Sequence, residues 1–81
     1  MIFVDTWAWL ALAHRRDPYH GIAVKQHRSF QQQNEQYVTS DFVVAESITG
    51  LFAALDFGKA ERYVETMFSS FDAGRDRLIH V

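Results

Sequence analysis

The chain has 81 residues, a formal net charge of −2 and no cysteine. A chain of this length forms a single small domain, residues 1–81, with a thin core. The lack of cysteine excludes disulfides, thiolate metal sites and catalytic thiols. The hydrophobic fraction of 48% is typical of a globular protein, and this apolar excess favours burial against more protein, so we expect a homo-oligomer.

The apolar stretch that follows the N-terminal segment is too short to span a bilayer. It runs from Trp7 to Ala13, and the segment before it has neither a basic region nor a cleavage pattern. We therefore expect a cytoplasmic protein without a membrane partner.

Hydrophobic periodicity predicts alternating strands and helices. In chain order these are a strand over 2–4, helices over 6–13 and 19–33, a strand over 37–39, helices over 41–55 and 59–73, and a strand over 78–81. Pro18 marks the corner between the first two helices. This alternation predicts an α/β fold, a three-stranded parallel sheet with flanking helices.

Asp5 ends the first apolar strand and is followed at once by a helix. The carboxyl edge of an α/β sheet is where ligands bind, so a carboxylate at this point can meet water and a metal ion. The alternative is structural, since Asp5 or Thr6 can cap the helix that begins beside it. Both roles are compatible.

Glu46 is the one ionisable residue between Phe42 and Leu55. At 100° per residue it points away from the bulky apolar stripe of its helix. A solvated surface glutamate explains this position. However, its neighbours on that side are mostly apolar or small, among them Gly50, which allows backbone or substrate to approach closely. Both readings remain open, and the functional one pairs Glu46 with Asp5.

Arg15 and Arg16 close the first predicted helix. Arginines near a metal site can hold RNA phosphates, whereas the structural alternative is the favourable interaction of cations with a helix C-terminus. The four histidines lack the spacing of a zinc site, and the isolated glycines form no phosphate-binding loop.

Three segments together resemble the PIN domain of VapC-type ribonuclease toxins from bacterial toxin-antitoxin pairs: IFVDTWAWLAL, VTSDFVVAESITGLF and the final strand RLIHV. The resemblance implies a metal-dependent endoribonuclease with an RNA substrate, an antitoxin partner and a four-acid Mg²⁺ or Mn²⁺ site. By motif, two of those acids correspond to Asp5 and Glu46, as both catalytic residues and metal ligands. Thr6 matches the hydroxyl residue that supports the site, and Thr6, Arg15 and Arg16 are the candidates for substrate binding.

The same resemblance implies that half of the acidic site lies elsewhere. A complete domain of that family continues through two more helices and two more strands, which carry the other two acids. Asp72 and Asp76 precede the third strand and do not match those positions. The expected sheet order is 3-2-1, with the first strand as an open edge. We expect the 81-residue chain alone to be inactive or nearly so, because two carboxylates bind Mg²⁺ weakly.

The alternative function is noncatalytic. A degenerate PIN fragment can act as a dimerisation or antitoxin-binding module, using Trp7, Trp9, Phe52 and Phe71 for apolar contacts. The structural reading of these four aromatics is that they belong to the core.

Overall fold

The computed structural model describes residues 1–81 as an α/β fold of three parallel strands and four helices, which confirms the predicted fold class. The elements are β1 (Ile2–Phe3), α1 (Thr6–Ala13), α2 (His20–Gln32), β2 (Tyr37–Ser40), α3 (Asp41–Ala54), α4 (Phe57–Asp72) and β3 (Arg77–Ile79). The sheet order is β1-β2-β3, so β2 is central and both β1 and β3 are edges.

Side chains next to the helix ends explain where the helices begin. The Ser40 hydroxyl accepts from the backbone N–H of Val43 at 3.2 Å and so caps the start of α3. Asp56 caps α4 by accepting from the N–H of Lys59 at 2.9 Å. That cap places the start of α4 at Phe57, two residues earlier than the hydrophobic stripe alone predicts.

The helices cover one face of the sheet. The chain adds its strands in one direction, from β1 to β2 and then to β3. Because crossovers between parallel strands are right-handed, both helical connections then lie on the same side of the sheet. Along the strands, Ile2, Tyr37 and Leu78 belong to the helix-covered core. On the opposite face, Phe3 is 56% and Ile79 is 45% exposed, whereas Val38 of the central strand is 8% exposed. Parallel sheets are usually covered on both faces, so a face left bare at both edge strands is unusual.

Tyr37 lies in the core and contacts three aromatic rings. Its ring lies 6.0 Å from that of Trp9 and 6.2 Å from that of Phe30, both edge to face. Its hydroxyl is 2.7 Å from Nδ1 of His27. Of the four aromatics assigned above to the core, Trp9 is buried, whereas Trp7 is more than half exposed. The core assignment is therefore wrong for Trp7, which lies in the first turn of α1, and for Phe52, which is 38% exposed, whereas Phe71 packs against the core.

Helix α1 packs tightly on α3 at Gly50. A Cβ atom built on Gly50 would lie 2.9 Å from both terminal methyl groups of Leu10. Leu10 therefore rests directly on the backbone of α3, and the predicted close approach at Gly50 is made by this side chain.

None of the four helices combines the length and the apolar character that a membrane crossing needs.

Alanine substitutions at two helical glycines test this packing. Nothing lies within 4 Å of a Cβ at Gly21 in α2, so Gly21→Ala should raise the free energy of unfolding by about 0.4–1 kcal/mol. Gly50→Ala should give no such gain and should destabilise by about 1 kcal/mol, because Leu10 must leave its position. Urea denaturation measures both variants, and equal stabilisation by the two would contradict the proposed contact.

The Tyr63 phenol makes stability depend on alkaline pH. Burial, followed by the charge of a nearby ionised Tyr37, raises the pKa of Tyr63 to about 12. Since the folded pKa exceeds the unfolded one, this contribution to stability is complete below pH 10 and is lost as pH rises towards 12. Denaturation curves should show wild type weakening over that range and Tyr63→Phe weakening less. An equal alkaline loss in both proteins would refute this assignment.

Candidate acidic site

Thr6 joins the two acids that the sequence singles out. Its backbone N–H donates to Oδ1 of Asp5 at 2.7 Å, and its hydroxyl donates to Oε1 of Glu46 at 3.2 Å. Asp5 follows β1, whereas Glu46 lies in the second turn of α3, 40 residues beyond Thr6 in the chain. The structure thus brings Asp5, Thr6 and Glu46 to the same place at the carboxyl edge of the sheet.

The backbone near Asp5 supports the capping role considered above. Asp5 is extended, with φ −90° and ψ 170°, and its side chain caps α1 through Oδ1. That bond uses one carboxylate oxygen of Asp5, and the bond from Thr6 uses one oxygen of Glu46. Each acid keeps a second oxygen without a protein donor, and both side chains belong to exposed residues. Capping and cation binding are therefore compatible at Asp5.

The amphipathic pattern of α3 determines the direction in which the Glu46 side chain points. Val44 and Leu51 of the predicted apolar stripe are buried, and Ile48 packs against the same core. Glu46 lies on the other side of the helix, beside α1, where its only protein hydrogen bond comes from Thr6. Thr6 of α1 contacts Glu46 of α3. One turn further along both helices, Leu10 contacts Gly50.

The donor set of this site is limited to two carboxylates. The structure contains no group of three or more histidine, cysteine or acidic side chains placed to hold a metal ion. Carboxylate oxygens are nevertheless the ligands that Mg²⁺ and Mn²⁺ prefer, and Mg²⁺ sites use only one or two of them beside water and substrate oxygens. Asp5 and Glu46 therefore fit a weak cation site.

A second charged cluster at this edge has a structural role. Asp41, which follows β2, accepts backbone N–H bonds from Val81 at 3.1 Å and Phe42 at 2.8 Å. The Val81 bond is the main cause that lowers the pKa of Asp41, and His80 Nδ1, 3.6 Å from the carboxylate, lowers it further. Asp41 thus attaches the end of β3 to the start of α3.

Arg15 and Arg16 lie in the exposed turn between α1 and α2. Helix α1 ends at Ala13 and has no basic residue in its last turn, so neither arginine closes the helix as predicted. The eight residues of α1, about 12 Å of helix, separate this turn from the acids at its N-terminus. The structure does not place the arginines against Asp5 and Glu46, and neither forms an ion pair within the protein.

An aromatic cleft lies beside α1 and was missed by the sequence analysis. It has a volume of about 470 Å³ and is lined by Trp7, Leu10, Asp17 and Tyr19. The rings of Trp7 and Tyr19 are 6.2 Å apart and meet at 73°. Only the position of Pro18, which brings Tyr19 back towards α1, gave a signal for this cleft in the sequence.

A larger cleft of about 720 Å³ lies at the opposite, amino end of the sheet. Its walls include Trp9, Tyr37, Tyr63 and Asp76. Asp76 accepts from the Ser70 hydroxyl at 2.7 Å and from the backbone N–H of Tyr37 at 3.2 Å. Those bonds connect α4, β2 and β3, which explains Asp76 as a structural residue.

Comparison of the chain with protein families, with characterised proteins and with solved structures finds no match.

The Thr6 hydroxyl should couple α1 to α3 energetically. Thr6→Val keeps the shape of the side chain but removes the bond to Glu46, so we expect a loss of about 0.5–1 kcal/mol in the free energy of unfolding. Thr6→Ser keeps the hydroxyl and serves as the control. A double-mutant cycle with Glu46→Ala measures the coupling, and a coupling of zero would mean that this bond does not form in solution.

Proposed function

We propose that this chain supplies part of the cation site of a PIN-type, metal-dependent endoribonuclease. Asp5 and Glu46 act as the two carboxylate ligands for Mg²⁺ or Mn²⁺, and Thr6 fixes their relative position. The observation that supports this proposal is the bond from the Thr6 hydroxyl to Glu46, 40 residues away in the chain, beside the bond from the Thr6 N–H to the adjacent Asp5. The resemblance of the motifs around Asp5 and Glu46 to those of PIN-type ribonucleases also supports it.

The protein residues have distinct roles in this proposal. Thr6 holds one oxygen of each acid, so the remaining oxygens are directed by hydrogen bonds that already exist in the free protein. Asp5 and Glu46 would hold the divalent cation, which when bound would supply an activated water molecule and stabilise charge on the phosphate under attack. Arg15 and Arg16, which have no ion-pair partner, are suited to contact substrate phosphates at a distance from the acids.

Further acidic ligands are needed for efficient hydrolysis. Two carboxylates offset little of the dehydration cost of Mg²⁺, so this chain alone should bind the cation weakly and cleave RNA slowly or not at all. In the proposal, other polypeptide supplies the missing acids, the protein works in the cytoplasm, and an antitoxin restrains it.

The bare sheet face favours a second candidate function. Phe3 and Ile79 expose apolar area next to two open strand edges, and such surfaces mark sites of protein association. A noncatalytic module that forms a homo-oligomer or binds an antitoxin would use this face and would need neither Asp5 nor Glu46.

Manganese binding distinguishes these candidates without relying on activity. We expect millimolar Mn²⁺ to broaden the amide NMR signals near Asp5 and Glu46 together. Asp5→Asn and Glu46→Gln should each weaken this effect about tenfold or more. Glu65→Gln, on the exposed side of α4, is the matched control and should leave it unchanged.

Complementation tests the reaction itself. Mixing the chain with the C-terminal half of a PIN-type ribonuclease should produce Mn²⁺-dependent cleavage of single-stranded RNA that either acidic substitution abolishes. Two results together would favour the noncatalytic module: Mn²⁺ broadens amide NMR signals evenly over the acidic surface, and the complemented mixture does not cleave RNA.

A further inference from the structure

Trp7 and Tyr19 form an aromatic corner that no part of the proposed hydrolysis uses. Their ring planes meet at 73° with centroids 6.2 Å apart, and both residues are more than half exposed. A planar ring stacked on one of them presents its edge to the other, which is the favourable geometry for a third aromatic ring. The cleft they line, about 470 Å³, is within the range of small-ligand sites.

The turn that carries Tyr19 is held in place before any ligand binds. The backbone N–H of Tyr19 donates to Oδ1 of Asp17 at 2.8 Å, and the N–H of His20 donates to the Asp17 carbonyl at 3.0 Å. Nδ1 of His20 lies 2.7 Å from the carbonyl of Ala11 in α1. These bonds fix Tyr19 relative to α1, so binding in the cleft costs little ordering of the protein.

Two charged features identify the occupant. Arg15 and Arg16 lie in the same turn without ion-pair partners and can neutralise phosphates. Asp17 also lines the cleft, and only its Oδ1 is used by the Tyr19 N–H, so the other oxygen can accept a hydrogen bond. A ligand that combines a planar ring, an amino donor and a phosphate backbone matches all three features.

The cleft also adjoins the acidic site. Leu10, which lines it, lies one helical turn beyond Thr6 and rests on Gly50, one turn beyond Glu46. Trp7 directly follows Thr6 in the chain. A nucleotide stacked in the cleft would therefore lead its neighbouring phosphate towards the two carboxylates.

We propose that Trp7, Tyr19 and Asp17 form a binding site for one unpaired base of single-stranded RNA, with preference for a base that carries an exocyclic amino group. Trp7 and Tyr19 stack on the base, and Asp17 accepts from its amino group. This inference rests on the proposed RNA substrate, which it makes more specific by naming the base class and the residues that read it.

The test measures binding of labelled oligocytidylate by fluorescence anisotropy in EDTA, so that it does not depend on the metal site. Trp7→Ala and Tyr19→Ala should each weaken binding about tenfold, and Trp7→Phe should restore part of the loss. Phe57→Ala removes an equally exposed aromatic of α4 and is the matched control. Thermal denaturation of each variant verifies that the domain remains folded.

Base preference gives the sharper test. Wild type should bind oligocytidylate about tenfold more tightly than oligouridylate. Asp17→Asn keeps the oxygen that accepts from Tyr19 but replaces the free oxygen with an amide donor, so the preference should move towards uracil. An abasic phosphodiester of equal length should bind weakly.

Three outcomes would overturn the inference: equal affinity for the abasic chain, equal losses from Phe57→Ala and Trp7→Ala, or capture of an aromatic peptide in place of RNA. If oligocytidylate fails to bind while Mn²⁺ still localises to Asp5 and Glu46, the base site is wrong and the proposed function stands. If the base site behaves as expected while Mn²⁺ does not localise, the proposed function fails instead.

Discussion

Helices α1 and α3 approach most closely where Leu10 rests on the backbone of Gly50. Without a Cβ at this position the two helices approach closely, and their side chains then meet one turn earlier as Thr6 and Glu46. The acidic pair therefore depends on apolar packing one turn away rather than on attraction between its own members, which are like-charged. A single residue, Thr6, offsets part of their repulsion by donating to both.

Local features of the fold could be predicted because their causes are local. The Ser40 cap acts within three residues, and the bounds of α1 follow from a continuous apolar run between Thr6 and Ala13. The predicted start of α4 is two residues late because the deciding cap, Asp56, lies outside the hydrophobic stripe. The chain turn after Ala13 likewise left Arg15 and Arg16 outside the helix.

The candidate site could be predicted only as a set of residues. Motif spacing identified Asp5, Thr6 and Glu46, but the bond between the Thr6 hydroxyl and Glu46 is a tertiary contact that no local pattern specifies. The aromatic cleft could not be predicted either, because it also depends on a tertiary contact: the turn at Pro18 brings Trp7 and Tyr19 together. Trp7 resembled a core residue because exposure cannot be read from hydrophobicity alone.

Parallel pairing has a kinetic consequence for this small domain. The Thr39 hydroxyl reaches the carbonyl of Val4 across 35 residues, and the Tyr37 amide reaches Asp76 across 39. No two neighbouring strands are joined by a hairpin, so each pairing must wait until a whole helical crossover has folded back. The rate of sheet formation is therefore governed by closure of these two long chain segments, and helices that form early shorten the search.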